Sequence, residues 1–236
     1  MLAKKTIMCY NGSMNKTFVN QVDEMLNSID FAAIWPGFAS CGLTSAQELP
    51  DMQEDAQRAA SHLVRGMFRT FRQKQGDTRE PDEAAILNYP HDLDNYQLKL
   101  AENHYLAKAV TDNSIMDLQQ FVVLREARRR IIGETMKQEQ RAETMEGLTE
   151  YAGLAALNQM SRAKFMEEVQ GHLAVLRSPR HLFNVRHVSK SVGCLLCFAL
   201  KSLNVDFYHD LSDSRTIYDF IPREPSEVEI IFNETR

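Results

Sequence analysis

The residues best placed to do chemistry lie in ETMEGLTEYAGLAAL (143–157), where Glu146, Gly147, Glu150 and Tyr151 spell E-G-x-x-E-Y. On a helix, Glu143, Glu146 and Glu150 fall at i, i+3 and i+7, so the spacing predicts three carboxylates on one face. Two chemistries fit: a carboxylate cluster that binds a cation or moves a proton, or a solvated acidic face beside a packed tyrosine. Arg65 and Arg69 stand four apart on an upstream amphipathic segment, HLVRGMFRTFR (62–72), and so share a face as well. Spacing alone also allows two ordinary surface cations there.

Other candidates read as structural. Cys194-Leu-Leu-Cys197 is a C-x-x-C inside an apolar helix rather than at a helix start, which predicts two buried thiols packing as small hydrophobes. His181 and His187 flank a helix start beside Arg180 and Arg186, a grouping suited to a cap or to an anion. No pair with H-x₃-H spacing occurs, and His104 stands two after Glu102, off its face. REARRR (125–130) reads as a solvated helix face, with Glu126 pairing Arg130 at i, i+4. There is no phosphate-binding glycine loop and no G-x-S-x-G.

Helices must position these groups. Helical periodicity runs through 14–28 (Phe18, Val22, Met25, Leu26), 51–74, and 95–110 with Leu98, Ala101, Tyr105, Leu106 and Ala109 at core spacing. Ser114 caps a helix expected to reach about Gln140, followed by helices over about 143–159, from Ser161, and from Asn184 to Leu203. FAAIWPGF (31–38), stopped by Pro36 and Gly37, reads as a strand and turn, and EVEIIF (227–232) alternates like a strand. QGDTREPDEAAILNYPHD (75–92) reads as a loop and the best candidate for a flexible insertion. The expected class is mainly α with a small β-sheet near the N-terminus, in one domain over 1–236 with a candidate subdomain boundary near 90–95.

Composition narrows the function classes. With 236 residues, 44% hydrophobic and 25% charged, the chain is long enough for a sizeable core. The 27 basic against 32 acidic residues give a net charge of −5, a poor match for nucleic acid or an anionic membrane. Four cysteines (Cys9, Cys41, Cys194, Cys197) are too sparse for a disulfide scaffold. No spanning run and no signal-type apolar core is evident, which predicts a cytoplasmic protein.

E-G-x-x-E-Y resembles the second motif of gluzincin-type zinc metallopeptidases. In that family a helix bearing His-Glu-x-x-His supplies two zinc ligands and a catalytic Glu, and the Glu of the second motif is the third ligand. The resemblance implies a zincin-like fold over roughly residues 30–200, with Glu146 at the third-ligand position, Glu150 and Tyr151 in support, and Gly147 allowing close helix approach. Laid on the first motif, R-G-M-F-R places Arg65, Gly66 and Arg69 where the family has ligand, general base and ligand. Arg has no lone pair to offer zinc, and Gly66 has no group to take a proton from bound water. The resemblance therefore implies a degenerate metallopeptidase homologue with no catalytic residue and no zinc. Arg65, Arg69, Glu146, Glu150 and Tyr151 would line a site for a peptide-like or anionic ligand, or for a partner protein. Two other readings stay open. One is a working zinc enzyme with ligands drawn from Glu102, Glu143, Glu146 or a histidine. The other is a helical interaction module unrelated to peptidases.

Overall fold

The computed structural model describes residues 16–40, 55–182 and 184–223. Within them the chain forms α1 (Lys16–Asn27), α2 (Ala56–Lys74), α3 (Glu83–Leu87), α4 (Leu93–Asp112), α5 (Ile115–Ile132), α6 (Thr135–Met160), α7 (Arg162–Arg177) and α8 (Val185–Ser202), with 3-10 turns at Pro179–His181 and Ile217–Phe220. Among the described residues there is no strand, so the expected N-terminal β-sheet is not present. Nor is any of these helices long and apolar enough to cross a membrane. Cys9, Cys41 and the EVEIIF segment lie outside the described residues. The described chain falls into two compact units, one within Met1–Phe71 and Ala152–Phe165, the other within Arg72–Tyr151 and Met166–Arg236.

The first unit packs α1, the 28–40 segment, most of α2 and the C-terminal end of α6. FAAIWPGF is a chain of turns, not a strand: Ile34 and Trp35 N–H both donate to the Phe31 carbonyl (3.1 and 3.2 Å), and Gly37 takes a positive φ of 76°. Its buried residues are Phe31, Ile34, Trp35 and Phe38, spaced i, i+3, i+4, i+7, the helical period rather than the strand period. Pro36 and Gly37 keep that pattern from growing into a helix. The rings sit edge-on in an aromatic cluster, Trp35–Phe68 at 5.7 Å and Phe38–Phe68 at 5.1 Å. Gln159 of α6 clamps the segment, accepting from the Asp30 N–H at 2.8 Å and donating to the Asp30 carbonyl at 3.0 Å.

In the second unit α4 and α5 pair antiparallel. The helix expected from Ser114 to Gln140 is two helices. Ser114 does cap the first, its hydroxyl accepting from the Asp117 N–H at 3.1 Å. Gly133, with φ 56°, ends it, and α6 restarts two residues later. The segment expected as a loop holds α3, capped by Asp82, and the fully buried Arg79, whose guanidinium bonds Asp77 and the Arg215 carbonyl. α8, whose middle reads VGCLLCFAL, crosses α6 backbone to backbone. A Cβ on Gly193 would lie 1.9 Å from the Glu143 carbonyl oxygen, and one on Gly147 would lie 2.4 Å from the Gly193 backbone. Only two facing glycines allow that crossing.

Candidate functional site on helix α6

The crossing of α6 and α8 sets the register of their charges. Glu146 and Glu150 are four apart on α6; Arg186 and Lys190 are four apart on α8. Arg186 Nη1 lies 3.3 Å from Glu146 Oε1, and Lys190 Nζ lies 3.5 Å from Glu150 Oε2. Arg186 also bridges to Glu83 of α3. Glu143 leaves this face. It is fully buried toward α5, where its carboxylate accepts from Arg125 at 2.8 Å. The expected row of three carboxylates is thus two, each answered by a cation one helix away.

Glu150 has a second partner. His172 Nε2 of α7 is 3.2 Å from Glu150 Oε1, and His172 Nδ1 is 2.9 Å from the Ser191 hydroxyl of α8. With the carboxylate ionised, the consistent tautomer carries its proton on Nε2, and Ser191 donates to Nδ1. Serine, histidine and carboxylate in a row have the connectivity of a hydrolase triad. Ser191, however, is 1% exposed within α8, so no substrate carbonyl reaches its oxygen. The row ties three helices together. Tyr151 is an anchor too. Its hydroxyl is 3.0 Å from that of Tyr208 and accepts from Lys201 Nζ at 3.2 Å, and its ring packs on Phe198 and Phe207. Burial and then the Tyr208 hydrogen bond push its phenol far above the usual range.

The other candidate residues belong to the first unit. Arg65 is half-buried on α2 with its stem against Gly153 of α6, where a Cβ would come within 2.5 Å of Arg65 Cγ. Ser61 Oγ donates to the Gly153 carbonyl at 2.8 Å. Gly66 lends its carbonyl to Thr70 Oγ1 at 3.1 Å, and Arg69 is exposed. The resemblance assigned close approach to Gly147, whose nearest neighbour is α8. Gly153, six residues on, makes room for α2. Glu146, Glu150 and Tyr151 are in the second unit.

Two arginines and a glycine stand where the resemblance would place imidazoles and a general base, and an arginine side chain has no lone pair to offer zinc. Among the described residues no group of three or more His, Cys, Asp or Glu is arranged to hold a metal ion. Glu102 and Glu143, the alternative ligands, both bond Arg125. The His181 and His187 rings lie tilted against one another, centroids 4.8 Å apart, at the start of α8, whose first turn is capped by Asn184. Burial, then His181, Lys190 and His172, holds His187 below the usual histidine range. Cys194 and Cys197 are buried, and burial pushes the Cys197 thiol well up, away from the thiolate.

One cluster was not anticipated. REARRR is not a solvated face: Arg125 and Arg128 are fully buried. With Lys99 they meet Glu102, Glu139 and Glu143, three cations against three anions. Arg125–Glu102 and Arg128–Glu139 are 2.7 Å and Lys99–Glu139 is 2.6 Å. Tyr89 donates to Glu139 at 2.6 Å, and Asn95 accepts from Arg128 at 3.0 Å. Burial opposes the charge of Glu139, but Arg128 and Lys99 hold it well below the usual carboxylate range. Glu126 pairs with Arg129 rather than Arg130. The signal was there in Asn95, Lys99 and Glu102 at i, i+4, i+7, a polar stripe on α4 that displaces Leu98 from the core.

Comparison with protein-family models, curated proteins and solved structures finds no match to this chain.

Proposed function

We propose that the chain is a catalytically degenerate metallopeptidase-like protein that binds a carboxylate-bearing, peptide-like ligand and does not hydrolyse it. The observation that carries this reading is the ion pair between Glu146 and Arg186. At the position where the resemblance puts the third zinc ligand, the carboxylate is answered by a cation of its own unit. The resemblance assigns Arg65 and Arg69 to the positions of the family's metal ligands, and a guanidinium fork suits a carboxylate. Gly66 leaves that stretch without a general base.

The test is fluorescence polarisation with labelled short peptides of mixed sequence. One set carries a free C-terminal carboxylate and the other a C-terminal amide. Binding by the carboxylate set, at least tenfold weaker for the amides and for Arg69→Ala, is expected. Equal binding of both sets, binding by neither, or cleavage of the peptides overturns the reading.

A further inference from the structure

One nitrogen clasps both ends of the loop over 209–215. Arg79 Nη1 lies 2.8 Å from His209 Nε2 and donates to the Arg215 carbonyl at 2.9 Å. Between those ends the loop bonds to itself. Asp210 accepts from the Ser212 N–H and hydroxyl at 2.9 and 2.8 Å, and Asp213 accepts from the Arg215 N–H at 2.9 Å. Leu211 is the one buried residue of 209–215. The chain is pinned on either side, where Tyr208 meets Tyr151 and the Ile217 N–H donates to Thr144 at 3.0 Å. Arg79 is itself fixed, fully buried with Nε and Nη2 on the two oxygens of Asp77. The partners of His209 also decide its protons. Nδ1 is 2.7 Å from the Phe207 carbonyl, which only accepts, so Nδ1 carries the hydrogen. Arg79 only donates, so Nε2 must offer a lone pair, and the ring is neutral. The charged groups around the ring are Arg79, with its partner Asp77, from the stretch after α2, and Asp213 and Arg215 from the loop itself, with Asp210 next in the chain. The Phe220 ring lies 4.6 Å away.

We propose that His209 is a pH-sensitive latch: a second proton, on Nε2, sets N–H against N–H and cation against cation at Arg79, and the 209–215 loop opens while the helices stay folded. Arg79 cannot yield, because it has no lone pair and its other nitrogens are tied to Asp77. The Phe207 carbonyl and Asp213 favour the charged ring, but burial first, then Arg79 and Arg215, hold the closed-loop value below the ordinary 6.5. In the open loop the imidazole meets water and takes its proton at about 6.5. Opening therefore takes up a proton. The latch is fully closed above about 6.5, and the open fraction rises by up to about tenfold per pH unit below it, until the closed-loop value is passed. What opens is local: the ties of Tyr208 and Ile217 stay outside the loop, and Leu211 is the apolar side chain uncovered.

Thiol labelling of Leu211→Cys with 4,4′-dithiodipyridine, in the full chain with Cys9 and Cys41 replaced by Ser, reads the opening directly. Between pH 7.5 and 5.5 the rate, relative to that of a free cysteine peptide, is expected to rise about threefold or more with His209. It stays flat with His209→Gln, whose amide oxygen accepts from Arg79 and does not titrate. Cys194 and Cys197, buried in α8, stay unlabelled and report that the helices remain folded. A flat rate with His209, an equal rise with His209→Gln, or labelling of Cys194 and Cys197 as fast as position 211 overturns the proposal. A second measurement needs no cysteine variant. In a proton NMR titration of the unaltered chain, the His209 ring is expected to reach half-protonation below 6.5, and half-protonation at or above that value overturns the latch as well.

Discussion

Arg125 shows how a single side chain commits this protein to its fold. Its guanidinium is fully buried, with Glu102 and Glu143 as ligands and the Phe121 ring 4.6 Å away. Burial works against its charge, yet the two carboxylates raise it well above its ordinary value. Truncating one member strands the others, so Arg125→Met is expected to cost about 3–5 kcal/mol in urea unfolding. Arg125→Met with Glu143→Leu should recover part of that loss, because Arg128 and Lys99 then still face Glu102 and Glu139, two cations against two anions. His209 sets a pH dependence. Its Nδ1 is 2.7 Å from the Phe207 carbonyl and its Nε2 2.8 Å from Arg79. Burial first, with Arg79 adding, lowers its pKa in the folded state. The unfolded chain therefore takes up the proton first as pH falls. Stability is full above about 6.5, the unfolded histidine value, and declines below it until the folded value is passed. Urea midpoints measured from pH 7.5 to 5 should fall for the wild type and fall less for His209→Gln. An equal decline in both would assign the effect elsewhere, His187 being the other lowered histidine.

At the scale of elements, the two glycines at the α6–α8 crossing make a sharp comparison with a third. Gly193→Ala places a Cβ against backbone that cannot yield and is expected to cost about 3 kcal/mol or more. Gly171, exposed within α7, has nothing within 4 Å of a Cβ. Gly171→Ala should therefore stabilise by about 0.5–1 kcal/mol, the ordinary gain within a helix. Thermal melts of the two variants check both signs. The helices themselves were largely legible in the sequence, because caps such as Ser114 and Asn184 act locally. The break at Gly133 was missed, since its αL-side φ is decided by where α6 must turn. FAAIWPGF misled because its apolar density suggests a strand, while its i, i+3, i+4, i+7 burial is fixed by ring partners on α2. The buried charges were hidden for the opposite reason. A polar stripe becomes a core only when opposite charges arrive from two other helices, and nothing local announces them. Glu146 and Glu150 were legible as a pair; Arg186, Lys190 and His172 were not, since the α6–α8 crossing brings them in.

For the whole molecule, the fold and its charges describe a scaffold whose carboxylates are satisfied from within. Glu143 goes to Arg125, Glu146 to Arg186, and Glu150 to His172 and Lys190. The most direct measurement is a calorimetric zinc titration, after dialysis against chelator, of untagged wild-type protein and of the triple variant Arg65→His, Gly66→Glu, Arg69→His. The wild type is expected to take up no zinc, and the folded triple variant to bind about one ion per chain through the introduced imidazoles. A stoichiometric zinc in the wild type, or a well-folded triple variant that still binds none, would contradict the account.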